Sequence, residues 1–282
     1  MRDQAVQIAR QADVVVAFVG LSPSLEGEEM PVQLEGFHGG DRTRINLPQL
    51  QEDLLQAVAA TGKPLVVVLM NGSALAVPWA KEHAAAILEA WYPGEEGGAA
   101  IAGTLAGDTN PAGRLPVTFY ASLDQLPPFE DYSMAGRTYR YFTGKPLYAF
   151  GSGLSYTTFA YSHLKLSSAQ MNAGDPLTVE ADVTNTGKRQ GDEVVEFYLS
   201  GPQGGGAPLR QLRSFDRINL QPGETRHLSF TLDPAHLSEV DHDGVRAVQA
   251  GSYTIYLGGG QPGQSAGVEG QFAISGRQVV MP

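Results

Sequence analysis

Three glutamates lie within four residues in the segment LEGEEM at residues 25–30, where Glu26, Glu28 and Glu29 follow a strongly apolar run. Crowded carboxylates repel one another and partial burial penalises their charge, so the pKa of one of them can rise. A carboxyl group with a raised pKa can donate a proton to a leaving group, which is the task of a general acid. A hydrated acidic loop would have the same composition, and on composition alone that alternative is favoured.

The segment GGDR at residues 39–42 is a second candidate for a functional loop. It leads towards Pro48, where a helix can begin because the missing N–H of proline costs nothing in the first turn. The N-terminus of that helix could hold a ligand, but an Asp41–Arg42 pair that shapes the loop explains the segment slightly better.

An aromatic cluster follows in the middle of the chain, interspersed with Arg137, Arg140 and Lys145. Aromatic rings beside arginine suit the stacking of a sugar, although packing between domains is the commoner use of such a cluster. The sequence therefore identifies no substrate-binding residue. The aromatic members are Tyr139, Tyr141, Phe142, Tyr148 and Phe150.

Several other chemistries are disfavoured by what the sequence lacks. There is no cysteine, no Gly-Lys-Ser or Gly-Lys-Thr phosphate loop, and the six histidines do not have metal-ligand spacing. The net charge of −11 repels phosphate backbones, so nucleic acid is a poor partner. We therefore expect no cofactor, no metal and no nucleic acid, and a nucleotide-binding α/β protein is disfavoured.

The sequence indicates neither a signal peptide nor a membrane-spanning segment. The first twelve residues contain Arg2, Asp3 and Arg10 without the apolar core of a signal peptide. The longest apolar runs, such as residues 64–70, are too short to span a bilayer. We expect no membrane partner, and the cellular location stays unknown because a cysteine-free chain is stable in either redox setting.

The first half of the chain alternates between strand and helix patterns. The β-branched runs at residues 14–20 and 65–69 are typical of strands buried on both faces of a parallel sheet. Residues 86–91 and 114–119 are two further predicted strands, and helical stripes lie between the first three. This order predicts a flavodoxin-like α/β sandwich with a mostly parallel sheet, in which ligands bind at the carboxyl ends of the strands.

The second half alternates apolar and polar residues with a period of two, as at residues 177–184 and 253–257. Turn signals such as Asn185-Thr186-Gly187 separate these runs, which together predict an antiparallel β-sandwich. We expect an α/β domain over residues 1–122, a linker with the aromatic cluster over 123–157, and the sandwich over 158–282.

Longer motifs make the chain resemble glycoside hydrolase family 3, the β-glucosidase and β-xylosidase family. They occur in the family's order and cover nearly the whole chain. The matching segments are VGL through LEGEEM at residues 19–30, GGDR through LP at 39–48, AWYPGEEGG at 90–98, NPAGRLP at 110–116, YRYF at 139–142 and PLYAFGSGLSYTTF at 146–159.

The resemblance implies an α/β sandwich followed by a fibronectin type III-like domain. It also implies a preceding (β/α)8 barrel, which carries the nucleophilic aspartate and for which this chain has no room before its first strand. The general acid/base of the family is a glutamate in the loop after that strand. Glu28, preceded by Gly27, matches it best; the family often has glycine after the acid, whereas Glu29 follows here, so Glu26 and Glu29 stay as alternatives.

The expected function is the C-terminal portion of a retaining β-glucosidase or β-xylosidase, which supplies the acid/base but not the nucleophile. Its substrate would be an oligosaccharide or aryl glycoside, and its missing partner the barrel. Alone, the chain should be inactive and should tend to self-associate through the surface that the barrel would cover. The alternative is a non-catalytic carbohydrate-binding or interaction module built from the same two domains.

Overall fold

A computed structural model describes residues 1–26, 30–39, 41–204, 206–241 and 243–281. The chain divides into two compact units whose segments interleave along the sequence. The first unit consists of Met1–Thr109, Phe119–Leu126 and Gly144–Tyr148. The second unit consists of Asn110–Thr118, Pro127–Thr143 and the chain from Ala149 onward. The domain boundaries expected from the sequence, after residues 122 and 157, stay a prediction.

The first unit is built from alternating helices and strands. Its elements are α1 (Arg2–Gln11), β1 (Val15–Gly20), β2 (Phe37–His38), β3 (Asp41–Arg42), α2 (Gln49–Ala59), β4 (Leu65–Met70), α3 (Pro78–His83), β5 (Ala86–Glu89), α4 (Gly97–Ala106) and a 3-10 turn at Leu123–Gln125. Pro48 directly precedes α2 and Pro78 begins α3. Both prolines lie where a first helical turn tolerates the missing N–H.

Strands β1, β4 and β5 form a parallel sheet in the order β1-β4-β5. Because the three strands run in the same direction, the segments that follow them all leave the sheet at the C-terminal ends of the strands, here called the carboxyl edge. Strand β4 is the central strand, and its residues Leu65, Val67, Val68 and Leu69 are buried. The sequence prediction of a parallel sheet with intervening helices is confirmed for this unit.

Strand β1 does not have two buried faces, and the sequence expectation on this point is wrong. Val16 and Phe18 are 40% and 56% exposed, and Val14 just before the strand is 47% exposed. Since side chains alternate along a strand, these three residues lie on one face. The apolar run shows that both faces of β1 could be buried. In the structure β1 is the edge strand of the sheet, and the face with these three residues is exposed to solvent.

The strand expected at residues 114–119 is also absent, although these residues are all described. Pro116 lies in the middle of the run and has no N–H to donate to a ladder. Phe119 forms only an isolated antiparallel bridge with Tyr148, inside the first unit. Arg114 belongs to the second unit, where its guanidinium forms a buried ion pair with Glu193 at 2.6 Å.

The second unit is a β-sandwich. Its elements are α5 (Thr138–Tyr141), β6 (Phe159–Leu166), β7 (Gln170–Asn172), β8 (Leu177–Asn185), β9 (Gly191–Ser200), β10 (Gln211–Leu220), β11 (Thr225–Leu232), α6 (Pro234–Leu237), β12 (Glu239–Val240), β13 (Arg246–Val248), β14 (Gly251–Gly258), β15 (Gly267–Ser275) and β16 (Gln278–Val279). One sheet has the order β10-β9-β14-β15-β7, a second β11-β8-β6, and a small third β12-β13-β16.

The period-two pattern places one side of each main strand in the core of the sandwich. Along β8, Leu177, Val179, Ala181 and Val183 are fully buried while the residues between them are partly exposed. They share one apolar cluster with residues of β9 and β14 from the opposite sheet. The antiparallel sandwich predicted from this pattern is confirmed.

The longest α-helix among the described residues is α2, with 11 residues. At 1.5 Å per residue such a helix is about 16 Å long, whereas the hydrocarbon core of a bilayer is about 30 Å thick. None of the helices in the described part of the chain is long and apolar enough to cross a membrane.

Gly20, the last residue of β1, provides a test of how tightly β1 and β4 are joined. It has a φ of +140°, and a Cβ atom placed there would lie 2.0 Å from the carbonyl oxygen of Met70. Gly20→Ala should therefore lower the free energy of unfolding by about 3 kcal/mol, measured by urea denaturation.

Gly98→Ala is the matched control for this substitution. Gly98 lies in α4, and nothing lies within 4 Å of the position that its Cβ would take. Alanine there should leave the stability unchanged or raise it by up to about 1 kcal/mol. Equal effects of the two substitutions would show that the β1–β4 contact at Gly20 does not constrain the fold.

Candidate functional site

The segments that follow the three parallel strands meet at the carboxyl edge of the sheet. In the sequence, the acidic loop (residues 25–30) follows β1, the turn Asn71-Gly72-Ser73 follows β4, and Trp91-Tyr92 follows β5. Gly20 fixes the start of the acidic loop, because the side-chain amide of Gln51 bonds to both its N–H and its carbonyl oxygen, at 2.7 and 2.8 Å. This edge is where the sequence analysis placed the site.

Glu26 is the residue on which these segments converge. Its carboxylate accepts hydrogen bonds from the N–H of Gly72, at 2.8 Å, and from the hydroxyl groups of Ser73 and Tyr92. Partial burial raises the pKa of Glu26, but these three hydrogen bonds and the nearby charge of Arg42 outweigh it and lower the pKa below its usual value. Glu26 is therefore ionised at neutral pH.

The turn after β4 has room for Glu26 and Tyr92 only because it contains a glycine. A Cβ at Gly72 would lie 2.8 Å from the ring of Tyr92 and 3.1 Å from a carboxylate oxygen of Glu26. Any larger residue would push one of the two side chains away. The glycine thus permits the close approach that lets its own N–H reach the carboxylate.

Arg42 supports the same turn from the other side. Its guanidinium donates to the hydroxyl of Ser73 at 2.8 Å and to the carbonyl oxygen of Ala74 at 3.0 Å. The Nε atom of Arg42 is buried and has no partner among the described residues. Arg42 thus shapes the turn after β4, whereas the expected pair between Asp41 and Arg42 is not among the ion pairs of the described residues. Gly40 of the GGDR segment lies outside the described residues.

Glu89, the last residue of β5, is a second carboxyl group in this cluster. Its Oε1 accepts a hydrogen bond from the N–H of Trp91 at 3.2 Å. Burial raises the pKa of Glu89 to about 7; the hydrogen bond from Trp91 and the nearby side chain of Asn71 oppose this rise, and the charge of Glu26 adds to it. Glu89 is not among the residues predicted from the sequence; a carboxylate at the very end of a predicted parallel strand is the signal that could have identified it.

The three candidate acids are not equally visible in the structure. Glu26 is described, whereas Glu28 and Glu29 lie outside the described residues. The assignment of the acid/base to Glu28, with Glu26 and Glu29 as alternatives, therefore stays a prediction.

The aromatic cluster is divided between the two units. In the second unit, Tyr139 stacks on Phe150 at 4.3 Å and meets Tyr198 edge-on at 6.0 Å. In the first unit, the ammonium group of Lys81 lies over the ring of Tyr148 at 4.6 Å from its centre. These are packing contacts, and within the described ranges no group of three or more metal-binding side chains comes together.

Comparison with protein families gives two matches. The family described as "Glycosyl hydrolase family 3 C-terminal domain" matches residues 1–156, which is more than half of the chain. The family described as "Fibronectin type III-like domain" matches residues 193–261, inside the β-sandwich.

Individual relatives agree with these matches. A xylan 1,4-beta-xylosidase of Xylanibacter ruminicola is 46% identical over 85% of this chain and 28% of its own length. A periplasmic beta-glucosidase of Salmonella typhimurium is 42% identical over 92% of this chain and 34% of its own length.

Solved structures show the same relationship. A β-glucosidase from Erythrobacter marinus superimposes with a TM-score of 0.84 at 36% identity, over 97% of this chain and 36% of that one. This chain thus spans about a third of the proteins that it matches. It belongs to glycoside hydrolase family 3, and it carries the C-terminal α/β domain of that family followed by a fibronectin type III-like domain.

Proposed function

We propose that this chain is the C-terminal portion of a retaining β-glycosidase that hydrolyses terminal β-linked glucose or xylose. Relatives named β-xylosidase and β-glucosidase support the substrate class. The observation that carries the proposal is the anchoring of the acidic loop, through Glu26, at the carboxyl edge of the parallel sheet. Such an edge is where α/β sheets of this kind present functional groups.

In the proposed mechanism Glu28 is the general acid/base. It protonates the leaving glycosidic oxygen while an aspartate of the barrel attacks the anomeric carbon, and it then deprotonates the water that releases the sugar. Retention requires the two carboxyl groups to lie about 5–5.5 Å apart. The acidic loop would therefore extend over the mouth of the barrel.

Glu26 suits the role of an anchor better than that of an acid. A general acid needs its proton at the pH of the reaction, and three hydrogen-bond donors stabilise the ionised form of Glu26 instead. Glu28 follows the anchored residue by two positions. The anchor and the proposed acid are thus two different residues of the same short segment.

Replacement of the acid tests this assignment in the complete, barrel-containing enzyme. Glu28→Gln should lower the turnover of substrates with poor leaving groups by about 10²–10⁴-fold, because it removes the proton donor. Nitrophenyl glycosides need little protonation and should keep a fast first step. Added azide should restore their turnover, since it attacks the glycosyl-enzyme without help from a base.

Glu26→Gln and Glu29→Gln are the matched controls for this experiment. If one of them shows the leaving-group dependence and azide rescue in place of Glu28→Gln, the acid is that residue. Sugar binding without any turnover, with the barrel present and all three glutamates intact, would favour the non-catalytic carbohydrate-binding alternative.

Removing a hydrogen-bond donor tests the anchoring of Glu26. Tyr92→Phe should raise the pKa of Glu26, because the carboxylate loses one of the bonds that stabilise its charge. The measurement is a pH titration of the carboxyl carbon of Glu26 by NMR. Tyr132→Phe, which changes an 88% exposed tyrosine of the second unit, is the control. An unchanged pKa in Tyr92→Phe would remove the basis for calling Glu26 an anchor.

The exposed face of β1 leads to a prediction about the isolated chain. We propose that another segment of the complete enzyme covers Val16 and Phe18, and that the isolated chain self-associates through them. Phe18→Lys should then lower the apparent mass in sedimentation experiments at high concentration. Val240→Lys, at a 65% exposed valine of the second unit, should not. A wild-type chain that is monomeric at all concentrations would contradict this proposal.

A further inference from the structure

We propose that Glu89 is a positioning residue for the acidic loop, because its carboxyl group holds Trp91 in a left-handed backbone conformation that sets Tyr92 on Glu26. That the acidic loop matters for catalysis rests on the proposed function. The contacts themselves lie inside the first unit and do not depend on any activity.

Trp91 has an unusual backbone. Its φ is +53°, in the left-handed region that residues with a large side chain rarely adopt. Such a conformation persists only where the surroundings enforce it, and it occurs preferentially at functional sites. Two contacts enforce it here: the bond from the N–H of Trp91 to Glu89, at 3.2 Å, and the edge-on contact of the indole with Phe119, at 6.0 Å.

The left-handed turn at Trp91 determines where Tyr92 goes. The next side chain crosses Gly72 and places its hydroxyl on the carboxylate of Glu26. Glu89, Trp91, Tyr92 and Glu26 therefore form a continuous chain of contacts from the end of β5 to the acidic loop. A change at Glu89 would act on the loop through Trp91, without a direct contact to a substrate.

The surroundings of the second carboxyl oxygen of Glu89 favour its protonated state. Oε2 of Glu89 and Oδ1 of Asn71 are both acceptors, both are buried, and neither has a partner among the described residues. Asn71 is close enough to Glu89 to affect its pKa, and the amide nitrogen of Asn71 is already bonded to the carbonyl oxygen of Ser73 at 3.0 Å. The protonated form of Glu89 would remove the unpartnered negative oxygen and supply a donor on that side of the carboxyl group.

The groups that face Glu89 determine its response to pH. Asn71 of the β4 turn and the N–H of Trp91 are neutral, and Glu26 of the acidic loop carries a like charge. Arg42 and Tyr92 contact Glu26 or its turn rather than Glu89. Because the folded state raises the pKa of Glu89, its stabilising contribution is complete below the ordinary value and is lost as the pH rises through about 7.

The experiment uses the 282-residue chain and needs no catalysis. The chain has two tryptophans, Trp79 and Trp91, so all variants carry Trp79→Phe, which leaves Trp91 as the source of the tryptophan fluorescence. The first reading is the fluorescence of Trp91 as a function of pH. The second is hydrogen exchange at Gly72, whose N–H is bonded directly to Glu26.

Two substitutions at Glu89 separate the proposal from a merely structural role. Glu89→Gln keeps the acceptor for Trp91 and offers N–H groups to Asn71, so it should keep Gly72 protected and abolish the fluorescence transition near pH 7. Glu89→Leu removes the acceptor and should speed exchange at Gly72 about tenfold or more. A transition that persists in Glu89→Gln, or unchanged protection in Glu89→Leu, would overturn the proposal.

A third substitution covers the case in which Glu89→Leu perturbs the fold as a whole. Glycine adopts a positive φ without help, so in a Trp91→Gly background Glu89→Leu should no longer affect exchange at Gly72. An equal effect in both backgrounds would mean that Glu89 does not act through Trp91. Failure of the glycosidase assays, with these readings as expected, would refute the proposed function and leave the role of Glu89 intact.

Discussion

The carboxylate of Glu26 joins segments that leave three neighbouring strands. A parallel sheet brings the ends of β1, β4 and β5 to one edge, but it does not fix the loops that follow them. The fixing is done by donors from the β4 turn and from the segment after β5, which all end on the same two oxygens. Charge-assisted hydrogen bonds of this kind are about twice as strong as neutral ones, so one ionised residue organises the edge of the sheet.

The second unit uses a buried carboxylate in a comparable way, to attach a segment without secondary structure. Arg114, from the NPAGRLP motif, pairs with Glu193, and the Tyr161 hydroxyl donates to the other oxygen of Glu193 at 2.6 Å. Burial raises the pKa of Glu193, and the bonds from Tyr161 and Arg114 oppose that rise. Removing one partner would leave a buried charge uncompensated, which costs about 3–5 kcal/mol. The ion pair therefore specifies where residues 110–118 lie.

Much of the fold could be predicted from the sequence because the signals are local. The β-branched runs of β1 and β4 and the alternation along β8 appear directly in the order of residue types. The errors concern what covers an element: the run at β1 is apolar enough for two buried faces, but coverage depends on neighbours that the run does not encode. At residues 114–119, Pro116 lacks the N–H that a strand would donate, and Arg114 forms an ion pair with Glu193, which is distant in the sequence.

The candidate site could be predicted only in outline, for a related reason. An acidic loop after β1 is visible in the sequence, but the donors that bind Glu26 come from residues 46 and more positions away. The proposed role of Glu89 depends on the positive φ angle of Trp91, which cannot be predicted from the pattern of residue types.

Glu26 and Glu89 also show how one site gives two carboxyl groups opposite properties. Both are partly buried, which raises the pKa of each. Glu26 has three donors and the charge of Arg42 and so stays ionised, whereas Glu89 has fewer donors and a negative neighbour and so holds its proton more tightly. Such separation of pKa values is how enzymes assign different tasks to similar residues. Here the ionised Glu26 is the anchor, and the proton donor that we propose for hydrolysis is a third glutamate, Glu28.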